Sequence, residues 1–311
     1  MDSGEKIREL VKALQRIIVG KDEAILLILT ALVAGGHALL EDVPGVGKTL
    51  LAKSLAALIA GKFQRVQCTP DLLPTDITGT NIWNPQTGAF QFMPGPVFAH
   101  VLLADEINRA TPRTQSALLE VMEENQVTVD GVSRPVPSPF FTIATQNPVE
   151  YQGTFPLPEA QLDRFTLSFS LGYPSAAEEL QMLQRQREGT LQQEVTPCIT
   201  TEEVLQLRQR SREVEVSQAV AAYIVNLVRA TREDNEINLG VSPRGTVALQ
   251  RSAQALALLR SALDPQRQSL YVLPDDVKFL APYVLGHRII PSGRRSRRAI
   301  IDRLLHTVPV P

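Results

Sequence analysis

The sequence predicts an α/β fold, a parallel sheet flanked by helices, followed by a smaller all-α unit. Three observations carry this expectation. Apolar runs of strand length alternate with helical periods between residues 38 and 171, the pattern of parallel strands joined by crossover helices. One run, Ala38-Leu39-Leu40, passes through a loop with Pro44, Gly45 and Gly47 into a helical pattern over 50–60. From residue 175 onward strand signals nearly vanish and helical patterns take over. Gly172-Tyr173-Pro174 is the expected hinge, which divides the chain into 1–172 and 173–311.

Taken in order, residues 3–16 set Ile7, Leu10, Val11 and Leu14 at helical spacing, continuing to Ile17. Ile18-Val19-Gly20-Lys21-Asp22 interrupts them, and Asp22 is the expected cap of a second helix over 23–33. Residues 24–40 carry no charge, but Gly35-Gly36-His37 breaks the run. They therefore read as a buried helix and a buried strand, not a membrane span. Residues 63–68 alternate like a strand, and a hairpin is expected between Ile82-Trp83 and Phe90-Gln91-Phe92. The apolar run after His100 ends in Asp105 and Glu106. An amphipathic helix over 114–125 and a second hairpin turning at Asp130-Gly131 follow. Residues 140–145 and 165–171 read as strands. The helical patterns of the second half cover 176–187, 201–212, 217–232, 245–263, 274–286 and 297–306.

Composition narrows the function classes. A chain of 311 residues suggests about two domains. A formal net charge of -2 and 5% aromatic residues give no general attraction to nucleic acid or anionic lipid. Cys68 and Cys198, the only cysteines, are expected as reduced thiols of a cytoplasmic protein. The four histidines show no ligand spacing, which argues against a histidine or cysteine metal site.

The loop after the first strand fits a Walker A motif. Gly45 and Gly47 let the backbone turn tightly and present N–H groups to phosphate oxygens at a helix N-terminus. Lys48 can reach the β- and γ-phosphates, and the Thr49 hydroxyl is placed for Mg²⁺. The general pattern has Gly where this chain has Asp42. Asp tolerates a positive φ, so the turn is expected to survive.

A second group of residues falls at strand ends, where open parallel sheets bind ligands. Asp105 can help hold Mg²⁺, and Glu106 can orient or deprotonate an attacking water. Asn147, in Thr145-Gln146-Asn147-Pro148, can hydrogen-bond a γ-phosphate or that water. Arg164 follows Leu162-Asp163. Arg244 falls in the first turn of a helix capped by Ser242 with Pro243 at its first position. Arg294-Arg295-Ser296-Arg297-Arg298 reads as a solvated helix start, with an anion or partner site as the alternative.

In this order the motifs resemble those of AAA+ ATPases, and within that class the MoxR family. The resemblance rests on residues 39–49, 104–110, 144–148, 153–165 and 273–277. It implies a P-loop AAA+ core with an all-α lid, hydrolysing ATP with Mg²⁺. Val19 and Gly20 would pack near adenine. Pro44, Gly45, Val46, Gly47, Lys48, Thr49 and Leu50 would hold the phosphates, with Thr49 and Asp105 at the metal. Glu106 would serve the water, Asn147 as sensor 1 and Arg244 as sensor 2. Arg164 would be an arginine finger reaching a neighbouring subunit. The two hairpins resemble inserts near a ring pore and partner surface. The family implies a homo-oligomeric ring, expected as a hexamer. It also implies a chaperone-like role in maturation or metal insertion of a protein client, through a partner with a von Willebrand factor A domain. A magnesium-chelatase-like motor subunit, a helicase-type motor and a nucleotide-gated scaffold are the alternatives.

Overall fold

The computed structural model describes residues 3–148, 153–187, 195–264, 266–267 and 270–311. Two helices, α1 (Ser3–Ile17) and α2 (Asp22–Ala34), lead into β1 (Ala38–Glu41), α3 (Lys48–Leu58) and β2 (Phe63–Gln67). A short α4 (Pro74–Thr78) precedes the hairpin β3 (Gly79–Asn84) and β4 (Ala89–Pro94). Then come β5 (Val101–Asp105), α5 (Pro112–Glu124), the hairpin β6 (Gln126–Val129) and β7 (Val132–Pro135), and β8 (Phe141–Gln146). The α/β part closes with α6 (Glu159–Leu162) and β9 (Leu167–Phe169).

The helical part holds α7 (Ala176–Arg187), α8 (Thr201–Arg212), α9 (Gln218–Glu233), α10 (Pro243–Leu263), α11 (Pro274–Leu285) and α12 (Arg297–Thr307). Two short strands, β10 (Ile237–Leu239) and β11 (Ile290–Pro291), pair within it.

The main sheet has the order β2-β5-β8-β1-β9, and every pairing in it is parallel. Its inner strands are covered on both faces, which is why β1, β5 and β8 read as apolar runs, while the edge strand β2 alternates. Leu39, Leu102, Ala104 and Ala144 face one core with Leu118 and Met122. Ala38, Leu40, Val101, Leu103 and Ile143 face the other. That second core runs on through α1 and α2 into the helical part, so the two parts share one apolar interior. Arg208 of α8 reinforces the join by donating from Nε to the Leu32 carbonyl at the end of α2 (2.9 Å). Burial pushes its pKa down to about 10.

Three details differ from the sequence reading. Lys21, not Asp22, is the N-cap of α2; the Asp22 carboxylate accepts from Gln15 Nε2 (3.0 Å) instead. The last strand is confined to Leu167–Phe169: before it the Phe165 carbonyl is taken by His287 and Arg288 of the helical part, and after it Ser170 and Leu171 bond to the Asp42 carboxylate. The helical part is not purely helical, since β10 and β11 are too short to leave a periodic signal. Among the described residues no helix is long and apolar enough to cross a membrane.

Candidate functional site

The parallel register carries the polar ends of four strands to one edge of the sheet. Gln67 lies opposite Asp105, and Glu41 opposite Gln146. Asn147 follows directly, half-buried, beside the loop that leaves β1. Gly45 and Gly47 in that loop have φ of 87° and 94°, the left-handed region that a side chain disfavours. A Cβ on either would meet nothing within 4 Å, so the backbone N–H groups border open space at the start of α3. That is a cradle for an anion. Lys48 Nζ donates to the carbonyls of Asp42 (3.1 Å) and Val43 (3.2 Å), which folds it along the loop. Thr49 is half-buried beside it.

Asp42 does not need the positive φ that the sequence suggested, and its side chain points away from the loop. The buried carboxylate accepts from Ser170 Oγ (2.6 Å), Leu171 N (2.6 Å) and Gly172 N (3.1 Å). Its negative charge is thereby spent on the chain that leaves β9. The root of the phosphate loop is tied to the expected hinge.

The acid pair is held from two neighbouring strands. Thr145 Oγ1 donates to Asp105 Oδ1 (2.7 Å) and accepts the Glu106 N–H (2.9 Å), so one hydroxyl aligns both residues. Arg65 of β2 donates to Asp105 Oδ2 (2.6 Å). Gln67 Nε2 donates to Glu106 Oε2 (2.9 Å), and Arg109 Nε lies 3.2 Å from the same oxygen. Glu106 has a φ of 57°, a left-handed conformation that costs a non-glycine residue about 1–3 kcal/mol. That turn swings its carboxylate out of the strand line. Cys68, the residue after β2, is buried, and burial together with Asp105 and Glu106 pushes its thiol up to about 12. It is inert.

Thr49 and Asp105 carry oxygen atoms of the kind a hard cation takes, and both Asp105 oxygens are engaged here, by Thr145 and by Arg65. No cluster of three or more His, Cys, Asp or Glu side chains suited to a metal occurs among the described residues. A metal here would therefore depend on oxygen atoms supplied by the nucleotide.

The two remaining arginines gather elsewhere. Arg164 Nε lies 3.1 Å from Glu123 Oε2, and Arg244 forms an ion pair with Glu123 Oε1. Both line a cavity of about 410 Å³ with Gly36, His37 and Arg251. His37 immediately precedes β1, and its Nε2 bonds to the Met122 carbonyl (3.0 Å), so this cavity is at the amino end of the strands. The phosphate loop leaves the opposite end, roughly 13 Å away at ~3.3 Å per strand residue. The structure thus brings Lys48, Thr49, Asp105, Glu106 and Asn147 to one edge, and Arg164 with Arg244 to the other. Val19 and Gly20 lie near the hinge, where the Glu178 carboxylate fills the position of a Gly20 Cβ and Lys21 donates to the Tyr173 carbonyl (2.8 Å).

Several of these partners escaped the sequence reading. Arg65 and Gln67 are alternate residues of one strand, which signals only a face. Glu123, Asp163 and Arg288 carry no motif of their own; a charged residue inside His287-Arg288-Ile289-Ile290 was the one available signal. In the basic run Ser296 caps α12, and Arg295 and Arg298 pair with Glu236 and Asp302.

Comparison with known proteins agrees with this arrangement. A family model described as ATPase family associated with various cellular activities (AAA) matches residues 37–167, and an AAA lid domain model matches 229–304. The uncharacterized YeaC protein of Bacillus subtilis is 47% identical over 97% of this chain and 93% of its own. Chaperone MoxR1 of Mycobacterium tuberculosis is 41% identical over 96% of this chain and 80% of its own. The crystal structure of a protein of Cytophaga hutchinsonii, provisionally assigned as an ATPase, superposes with a TM-score of 0.91 at 38% identity, covering 99% of this chain and 96% of that one. With a phosphate loop, an acid-tipped strand and a helical lid in one chain, this protein belongs to the MoxR family of AAA+ ATPases and is an ATP-binding, ATP-hydrolysing enzyme.

Proposed function

We propose that this ATPase works as a ring, expected as a hexamer, that remodels protein clients in a chaperone-like way in the cytoplasm. The observation that carries the ring is the separation of Arg164 and Arg244 from their own phosphate loop. Two cations on a half-exposed surface, at the far end of the sheet, are suited to a second copy's nucleotide.

In this reading the Gly45–Gly47 backbone and Lys48 hold the phosphates, while Val19 and Gly20 border the base. Pro44, Val46 and Leu50 shape the loop and the first turn of α3. Thr49 and Asp105 would hold Mg²⁺, which neutralises phosphate charge when bound. Glu106, swung out by its backbone and steadied by Gln67, orients a water for in-line attack on the γ-phosphorus and accepts its proton. Asn147 hydrogen-bonds the water or the γ-phosphate. The neighbour's Arg164 and Arg244 stabilise charge that grows on the phosphoryl oxygens. The lid boundary near Gly172 is part of the same proposal, with Asp42 linking loop to hinge.

The client role draws on the name of Chaperone MoxR1 and on the β3–β4 hairpin, where Trp83 (52% exposed) and Phe90 (70% exposed) pack edge to face in solvent. Such a tip is suited to gripping apolar segments, with a partner bearing a von Willebrand factor A domain as the expected adaptor. The test is Glu106→Gln. Hydrolysis should fall at least about 10²-fold with ATP affinity retained, and the arrested protein should retain client on affinity capture. Hydrolysis at the parental rate would remove Glu106 from its role, and an arrested ring that holds no protein would refute the remodelling reading.

A further inference from the structure

The segment that carries Arg164 is gripped by the lid through one buried arginine. Arg288 follows α11, and its side chain is only 2% exposed. Its Nε donates to Asp163 Oδ1 (2.6 Å), and its Nη2 to the carbonyls of Asp163 (3.1 Å) and Phe165 (2.7 Å). Nη1 donates to the Thr166 carbonyl (3.2 Å) and to that of Val284. A single planar guanidinium therefore ties three consecutive-region carbonyls, on both sides of Arg164, to the end of a lid helix. His287 adds a bond from Nε2 to the same Phe165 carbonyl (2.9 Å).

The second oxygen of Asp163 reaches the other arginine's helix. Ser242 Oγ donates to Asp163 Oδ2 (2.7 Å), and the same hydroxyl accepts the Gly245 N–H as N-cap of α10. Arg244 is two residues along in that first turn. The Arg288 stem passes so close to Gly245 that a Cβ there would sit 3.0 Å from Arg288 Cδ and 2.3 Å from Val241 Cγ1. Only a bare backbone allows this approach. Asp163 thus stands between two arms: one oxygen fixes the lid's buried arginine, the other fixes the cap of the helix that carries Arg244.

We propose that Asp163 and Arg288 are positioning residues that hold Arg164 of the core and Arg244 of the lid as one pre-organised pair for the phosphates of an adjacent subunit. Neither residue touches the nucleotide. The pair comes from two parts of the chain, and without this lock its geometry would vary with every movement of the lid. A displacement of about 1 Å in such a group can cost on the order of 10²-fold in rate. The inference rests on the trans role given above to Arg164 and Arg244.

Arg288→Lys keeps the charge but loses the planar fork that serves several carbonyls at once. It should lower kcat on the order of 10²-fold, with KM and the nucleotide Kd within about threefold, since the chain's own phosphate loop is remote. The decisive measurement is a double-mutant cycle. Once Arg164→Ala and Arg244→Ala have removed the pair, Arg288→Lys should slow turnover no further. Asp163→Asn, which retains shape, serves as the second variant should Arg288→Lys not fold, with a kcat loss of roughly tenfold and the same non-additivity. Wild-type turnover in these folded variants, or a loss that adds fully to that of Arg164→Ala and Arg244→Ala, overturns the proposal. Full turnover in Arg164→Ala and Arg244→Ala themselves would instead defeat the trans reading on which it rests, so the two failures look different.

Discussion

The two ends of the parallel sheet solve opposite problems with the same kinds of residue. At the carboxyl end the acid pair is held in part by exposed side chains, Arg65 (45% exposed) on Asp105 and Gln67 on Glu106, beside the buried Thr145 hydroxyl that aligns both. At the amino end, a fully enclosed arginine answers a carboxylate and several carbonyls at once. An exposed pair contributes little to stability and can rearrange. A buried one is costly to break. In the function proposed above, the end that accepts and releases a nucleotide keeps exposed partners on its acids, while the segment that carries Arg164 is anchored through a buried one.

The largest expected effect that would break this comparison is at the rigid end. Arg164→Ala should reduce ATPase turnover by roughly 10³–10⁵-fold, with its own ATP affinity unchanged. The parental protein should gain specific activity as its concentration rises, and the variant should not. A dilute, fully active monomer seen by light scattering would remove the distinction between the ends.

A middle-sized effect comes from His37, which closes the rigid end beneath the arginine cavity. Burial, with a smaller push from Arg208, depresses its pKa to about 4, while its bond to Met122 partly opposes this. The fold therefore favours the neutral ring, and the unfolded chain binds the extra proton between pH 4 and the ordinary value of 6.5. Stability is complete above about pH 6.5 and is lost as pH falls towards 4, by about 3 kcal/mol in full. Burial shifts His287 the same way. Urea unfolding at several pH values below 7 should show the decline, and a flat profile would mean that neither ring is buried neutral.

The smallest effect on activity is expected at Asp42, a buried carboxylate at the carboxyl end. Asp42→Gly restores the general Walker A residue and removes three hydrogen bonds to 170–172. It should cost about 3 kcal/mol or more of stability, since each bond to a charged group contributes about 1.5–3 kcal/mol, and leave ATP affinity within a few-fold. A collapse of nucleotide binding, measured by calorimetry, would place Asp42 in the cradle itself.

How much of this was legible depended on how far apart in sequence the partners lie. The phosphate loop, the acids after β5 and the polar tip of β8 each need only a strand and the residues that follow it, so their chemistry shows in a few consecutive letters. Helix limits were readable to within a few residues from the apolar period, and at α10 from the Ser242 cap as well, whereas the cap expected at Asp22 falls on Lys21. Asp163 and Arg288 are 125 residues apart and meet only after the lid has docked. Glu123 looks like any solvated helix residue until both arginines arrive. The placement of Arg244 beside Arg164 could not be read either, since a capped first turn fixes a direction relative to its helix and says nothing about where that helix lands.

The backbone at Glu106 has a consequence for evolution and engineering. A glycine there would adopt the same left-handed turn without penalty, so the sequence holds its glutamate against a local gain in folding free energy. Selection for heat resistance alone would drift towards discarding that carboxylate, and with it the role proposed for it, before touching the sturdier parts of the molecule.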